Sequence, residues 1–238
     1  MTNDNVLINH ILDKIKHNQD YKLAVIGECG NGKSYACLRM AELLDPTFTL
    51  DRLVFHGEDF LRLLNSELPK GAVIIWDEAS TGLDARNFMM LLNKLLDNVL
   101  VTMRHRNIIL MISVPSTFFV DKRARELMDG CIDMRWIDRK KKKSVGKFYV
   151  YRHYHAWGKT YLKTPVAMIK GEPRELGYLR FSLPSEPLRQ AYEKKKNAFT
   201  MNLNRETLKQ TRELLRGSLP EGFEYIDDVV RDLHRETS

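Results

Sequence analysis

Residues 23–34 read Leu23-Ala-Val-Ile-Gly-Glu-Cys-Gly-Asn-Gly-Lys-Ser34, an apolar run followed by a glycine-rich turn. After Ser34, apolar residues recur at helical spacing. The glycines let the backbone curl so that successive N–H groups point inward at an anion. The helix that follows adds its own free N–H groups and the positive end of its dipole. The spacing Gly27-x-x-x-x-Gly32-Lys33-Ser34 is that of a P-loop, so the sequence predicts a site for the phosphates of a nucleoside triphosphate.

The P-loop pattern assigns particular roles within this stretch. Lys33 is expected to reach the β- and γ-phosphates, and the Ser34 hydroxyl is expected to hold Mg²⁺. ATP and Mg²⁺ are therefore the predicted ligands. The residues expected to contact the nucleotide are Gly27, Glu28, Cys29, Gly30, Asn31, Gly32, Lys33, Ser34 and Tyr35.

A second acidic signal follows the apolar run at 72–76, which has the composition of a parallel strand buried on both faces. This run ends in Asp77-Glu78. A carboxylate at the end of a buried strand, together with an upstream P-loop, is the Walker B arrangement. Asp77 is predicted to orient the Mg²⁺ shell, and Glu78 to act as the catalytic base that activates the attacking water.

The remaining pattern alternates strands and helices. Strands are predicted at 52–56, 108–114 and 131–137, and helices at 1–20, 58–64, 85–105 and 120–128. Such alternation predicts an α/β fold with a doubly wound, mostly parallel sheet that binds its ligand at the carboxyl ends of the strands. Ser113 closes one of these strands, where a γ-phosphate sensor is expected.

Composition changes at Asp138, where a basic turn at 139–147 leads into a predicted strand at 148–157. We expect an antiparallel hairpin with a cationic tip and with Tyr149, Tyr151, His153, His155 and Trp157 on one face. Such a tip suits nucleic acid, although a solvated turn has the same composition. The candidate contacts are Lys140, Lys141, Lys142, Lys143 and Lys147.

The C-terminal part is predicted to be helical. One helix follows Ser185, with Tyr192 on its apolar stripe, and a second runs from 205 to 216, with Asn204 as N-cap and Gly217 as the stop. The predicted domains are a P-loop core at 1–138, a hairpin and helix extension packed on it at 139–199, and a helical tail at 200–238.

Overall composition is that of a globular chain: 238 residues, 43% hydrophobic and 29% charged, with a formal net charge of +7. The positive charge favours a polyanionic partner. Cys29, Cys37 and Cys131 show no metal or disulfide spacing, which suits a reducing compartment. Without a membrane-spanning run or a signal-peptide pattern, a cytoplasmic location is expected, in the host cell if the protein is viral.

These motifs together resemble the FtsK–HerA group of P-loop ATPases, most closely the small versions carried by archaeal viruses and plasmids. The resemblance covers about residues 20–138 through the P-loop, Trp76-Asp-Glu-Ala79, and Thr102-Met-Arg-His-Arg-Asn-Ile108, which leads into Leu110-Met-Ile-Ser-Val-Pro-Ser116. It implies a RecA-like core, a ring of probably six subunits, and pumping of double-stranded DNA. The group typically carries a glutamine where this chain has Ser113.

The resemblance also suggests an arginine finger acting across a subunit boundary, assigned to Arg104 with Arg106 in reserve. The alternative is that these arginines cap the carboxyl end of the preceding helix. The expected function is an ATPase motor that packages or translocates viral or plasmid DNA, with a capsid or membrane-associated partner docking on the tail. Two alternatives stay open, an AAA+-like helicase loader or replication initiator and an ATP-switched partner-binding protein.

Overall fold

The computed structural model describes residues 3–77, 106–116, 122–169 and 171–218. The chain divides into two compact units, Met1–Lys194 and Lys195–Ser238. The sequence predicted boundaries at 138 and 199. The turn after Asp138 instead lies inside the first unit, because the strands on either side of it belong to one sheet. The predicted helix at 85–105 falls outside the described residues.

Ten strands form within the described ranges, and eight of them make one sheet in the order β10-β6-β5-β1-β4-β3-β2, with β7 also paired to β6. Strands β8 and β9 form a separate antiparallel ribbon. The strands are β1 (Tyr21–Ile26), β2 (Leu53–Val54), β3 (Val73–Trp76), β4 (Ile109–Val114), β5 (Gly130–Asp138), β6 (Lys143–Tyr154), β7 (Lys159–Lys163), β8 (Val166–Ile169), β9 (Glu172–Glu175) and β10 (Tyr178–Ser182).

The five strands β5, β1, β4, β3 and β2 are parallel to one another, whereas β6, β7 and β10 join antiparallel at one edge. The continuous apolar runs explain the parallel part, because a strand covered by helices on both faces needs apolar side chains on both. Leu23 and Val25 enter one hydrophobic core, and Ala24 enters the other. The predicted doubly wound, mostly parallel α/β sheet is therefore confirmed.

The described helices are α1 (Asn3–Lys16), α2 (Lys33–Leu44), α3 (Gly57–Asn65), α4 (Lys122–Leu127) and α5 (Glu186–Ser218). Buried residues of α1 and α2, such as Ile11 and Met40, belong to the core on one face of the sheet. Residues of α3 and α4, such as Phe60 and Leu127, contribute to the core on the other face. Within the described ranges, no helix combines the length and the apolar character needed to cross a membrane.

The second strand is shorter than predicted, because residues 50–52 form a 3-10 turn before β2. Arg52 is 8% exposed and donates to Asp45 Oδ2 over 2.6 Å and to the Thr47 carbonyl. Asp45 Oδ2 also accepts the backbone N–H of Val73 over 2.9 Å. This buried network fixes Arg52 in the turn that precedes β2.

The hairpin prediction needs two corrections. Strand β6 begins at Lys143 rather than 148, so the turn comprises only 139–142. The strand ends at Tyr154, and residues 155–157 form a 3-10 turn, so His155 and Trp157 do not extend the predicted aromatic face. Gly146 explains the early start, since a Cβ there would lie 2.8 Å from Ile132 and leave no room for the close pairing with β5.

The C-terminal prediction of two helices is wrong, because α5 is one continuous helix. Asn204 and Gly217 lie inside it rather than at its ends. The helix continues past Asn204, where Thr207 Oγ1 donates to the Leu203 carbonyl over 2.8 Å. An interior glycine costs only about 1 kcal/mol relative to alanine, which is too little to end a helix by itself.

Candidate nucleotide-binding site

The P-loop joins β1 to α2 and has the backbone that the glycine spacing predicted. The φ angle is +140° at Gly27 and +80° at Gly32, a region that side chains disfavour. A Cβ at Gly27 would lie 2.6 Å from the Met134 carbonyl oxygen, and a Cβ at Gly32 would collide with Ser144 Oγ. These glycines therefore serve two purposes, because they shape the loop and let it pack against the β5–β6 hairpin.

Lys33 is the first residue of α2, and its side chain folds back over the loop. Its ammonium donates to the carbonyl oxygens of Gly27 and Glu28 over 2.8 and 2.9 Å. An ammonium has three donors, so the same group can hold the loop and still reach an anion. The lysine thus lies where the motif requires it.

Ser34 and Asp77 meet although 43 positions separate them in the sequence. The Ser34 hydroxyl donates to Asp77 Oδ1 over 3.0 Å, and Asp77 is fully buried at the end of β3. A hydroxyl and a carboxylate are oxygen ligands of the kind that Mg²⁺ prefers. Because this pair adjoins the loop and its lysine, the residues present fit a Mg²⁺–nucleotide complex.

Ser113 lies on the strand between those that carry the P-loop and Asp77. It pairs with Val25 of β1, and the preceding residue, Ile112, pairs with Trp76 of β3. Side chains alternate along a strand, so Ser113 projects to the face on which α2 lies, as Asp77 does. Its hydroxyl is buried and finds no hydrogen-bond partner among the described residues. Such a group costs about 1–3 kcal/mol, and a bound ligand could satisfy it. The sensor role of Ser113 stays a prediction.

Sequence reasoning missed Tyr192 as a site residue. Its hydroxyl donates to Asp77 Oδ2 over 2.7 Å, and the side chain is 1% exposed. The helical pattern assigns Tyr192 to an apolar stripe, which is correct for its ring but not for its hydroxyl. The signal available in the sequence is a hydroxyl on an otherwise apolar face, and it does not identify a partner 115 positions away.

The other loop residues differ in exposure. Glu28, Cys29 and Gly30 are exposed, whereas Asn31 is half-buried and donates to the Met134 carbonyl over 3.4 Å. Tyr35 donates to Glu193 Oε1 over 2.7 Å, and burial together with this hydrogen bond raises the pKa of Tyr35 to about 12. Tyr35 therefore faces the start of α5.

Two predicted catalytic residues, Glu78 and Arg104, lie outside the described residues. Arg106 lies before β4, at the amino edge of the parallel strands and opposite the P-loop. Its guanidinium donates to the carbonyl oxygens of Leu64 and Ser66, at the end of α3, the second over 3.0 Å. These contacts favour a local capping role for Arg106, although the helix end that it caps is not the one suggested by the sequence.

The basic turn lies at the same edge of the sheet as the P-loop. Strand β5 runs parallel to β1 and ends at Asp138, and Ser144 of β6 packs against Gly32. Of the predicted nucleic-acid contacts, Lys140, Lys141 and Lys142 are in the turn, and Lys143 and Lys147 are on β6. The Lys147 ammonium lies 5.5 Å from the centre of the Tyr149 ring. A contact of these lysines with DNA stays a prediction.

The sheet order, with β4 between the P-loop strand and the strand that carries Asp77, defines a P-loop α/β fold of the RecA-like kind. No protein-family model matches the chain, and none of the curated proteins matches it. The resemblance to the FtsK–HerA group therefore stays a prediction.

Among solved structures, the chain is similar to the N-terminal domain of zonular occludens toxin from Neisseria meningitidis. The sequence identity is 15% and the TM-score is 0.37, over 61% of this chain and 94% of that one. At such an identity and TM-score, nothing about the function of this chain follows from the likeness.

Proposed function

We propose that this protein binds ATP with Mg²⁺ and hydrolyses it. The observation that carries the proposal is the contact between Ser34 and Asp77 over 3.0 Å, next to a loop of the right backbone shape. A chance glycine turn between a strand and a helix has no reason to place a buried carboxylate against the first turn of that helix.

The roles follow from the chemistry of each group. The loop N–H groups and Lys33 bind the phosphates, and Ser34 with Asp77 holds Mg²⁺. Mg²⁺, when bound, neutralises charge on the β- and γ-phosphate oxygens. Glu78 orients and deprotonates the attacking water, and the Ser113 hydroxyl contacts the γ-phosphate.

The further proposal is that hydrolysis drives movement of double-stranded DNA, in packaging or translocation of a viral or plasmid genome. Its support is the net charge of +7 and the cationic turn at the same sheet edge as the P-loop. The proposed assembly is a ring, probably a hexamer, in which Arg104 completes a neighbouring site. The ring would act in the cytoplasm, with the tail available to a capsid or membrane-associated partner.

The AAA+-like alternative has less support. A loader or initiator of that type would carry a helical lid with a sensor arginine after its core. In this chain the described part of 143–182 forms strands β6 to β10 instead. An ATP-switched partner-binding protein stays the second candidate, because its site would contain the same residues and would only turn over more slowly.

The test measures binding of a fluorescent ATP analogue and steady-state hydrolysis, with and without duplex DNA. Lys33→Ala should abolish productive binding, since it removes the charge that faces the β- and γ-phosphates. Lys70→Ala is the matched control, because Lys70 is exposed and bonds to Asn18 at the opposite edge of the sheet. Wild-type binding by Lys33→Ala would refute the proposal. Hydrolysis that DNA does not stimulate would favour the switched partner-binding protein over the motor.

A further inference from the structure

Both oxygens of the Asp77 carboxylate are engaged, each by a hydroxyl from a different helix. Ser34 of α2 donates to Oδ1 over 3.0 Å, and Tyr192 of α5 donates to Oδ2 over 2.7 Å. Asp77 is 0% exposed. One donor on each oxygen fixes the plane of a buried carboxylate, whereas a single donor would let it rotate about that bond.

The start of α5 is held against α2, the helix that the P-loop begins. The Ser185 backbone N–H donates to Glu42 of α2 over 3.0 Å, and Glu193 accepts from Tyr35 of α2 over 2.7 Å. The rings of Tyr35 and Tyr192 also meet edge to face, with 6.1 Å between their centres. The Tyr192 hydroxyl is thus held relative to Ser34 as well as to Asp77.

We infer that Tyr192 is a positioning residue that sets the Asp77 carboxylate for binding of the Mg²⁺–nucleotide complex. The inference rests on the proposed nucleotide binding and extends it to a segment far from both nucleotide motifs. Partners that orient a metal ligand commonly change metal affinity by about 10- to 100-fold when they are removed. In this chain that partner comes from the helix that follows the whole sheet.

A purely structural role for Tyr192 would have a different signature. Its loss would then lower the stability of the chain and weaken nucleotide binding to the same degree whether or not Mg²⁺ is present. A positioning role acts on the carboxylate alone, so it affects only the part of the nucleotide affinity that depends on Mg²⁺.

The experiment therefore compares the dissociation constant of a fluorescent ATP analogue in EDTA and in saturating Mg²⁺, using the full chain. For Tyr192→Phe we expect the affinity gained from Mg²⁺ to fall by about tenfold, while the constant in EDTA stays within about twofold of wild type. Tyr161→Phe is the matched control, because it removes the same hydroxyl from an exposed position on β7. In an Asp77→Asn background, Tyr192→Phe should have no further effect on the gain from Mg²⁺.

Glu193→Ala keeps the Tyr192 hydroxyl but removes an anchor of α5, and it should lower the gain from Mg²⁺ in the same direction by about threefold. This variant tests the inference if Tyr192→Phe does not fold by circular dichroism. An unchanged gain from Mg²⁺ in the folded variants would overturn the positioning role. So would a wild-type chain that binds the analogue equally well in EDTA and Mg²⁺, with nucleotide binding itself left intact. A wild-type chain that binds no analogue would instead refute the proposed function.

Discussion

Replacing Gly27 by alanine should destabilise the protein far more than the same change at Gly30, although both are loop glycines with positive φ. The φ angle is +140° at Gly27 and +84° at Gly30. A Cβ at Gly27 would lie 2.6 Å from the Met134 carbonyl oxygen and 3.1 Å from the Met134 Cβ, whereas a Cβ at Gly30 would meet nothing within 4 Å. The obstacle at Gly27 is backbone, so a side-chain rotation cannot remove it.

The magnitudes follow from these distances. Positive φ costs an alanine about 1–2 kcal/mol, and this cost applies to both variants. Overpacking against a fixed neighbour adds about 1–3 kcal/mol, and this cost applies to Gly27→Ala alone. The free energy of unfolding should therefore fall by about 2–5 kcal/mol for Gly27→Ala and by about 1–2 kcal/mol for Gly30→Ala.

Urea unfolding of the full chain, followed by circular dichroism, measures both decreases from the transition midpoint and the slope. Binding of the fluorescent ATP analogue in the same samples reports whether the loop keeps its shape. If the stabilities of the two variants fall equally to within about 0.5 kcal/mol, strand β5 does not pack against the loop as described.

Three further predictions concern the proposed ATPase. Glu78→Gln should still bind ATP with Mg²⁺ but hydrolyse it about a hundredfold more slowly or worse, because the base is removed; an unchanged rate would refute the Walker B assignment. Replacing Lys140–Lys143 by serine should weaken DNA binding and flatten its salt dependence by about one unit of slope for each phosphate that the turn no longer neutralises, with ATP binding retained; an unchanged slope would identify the turn as merely solvated. Arg104→Ala alone should lower hydrolysis by about a thousandfold, but mixing it with Lys33→Ala should restore part of the activity, since a subunit with an intact P-loop can then use a neighbour's arginine. Co-assembly without recovery would contradict action in trans.

Much of the fold could be predicted, because its signals are local. The apolar runs before Gly27 and Asp77 became β1 and β3, since a strand buried on both faces requires apolar residues on both. The early start of β6 could not be predicted in the same way. Residues 143–147 have the polar composition of a turn, and only the close pairing of Gly146 with β5 shows them to be strand.

The C-terminal helix shows the opposite difficulty. Asn204 and Gly217 are typical of helix ends, but both lie inside α5. A capping preference is worth about 1 kcal/mol, and this is comparable with the cost of one poor helix former in the interior. Local signals of this size cannot decide between one helix and two, because the residues around Asn204 form helix readily on both sides.

The sequence by itself determined the P-loop and the acidic end of β3, because glycine spacing, a lysine and a carboxylate act within one turn of chain. Only the tertiary structure decided which groups complete the site. The tie from Tyr192 to Asp77 spans 115 positions, and the packing of Ser144 on Gly32 depends on the order of strands in the sheet. Hydrophobic burial sets that order for the chain as a whole, and burial is non-directional, so no local pattern records which distant hydroxyl will meet the carboxylate.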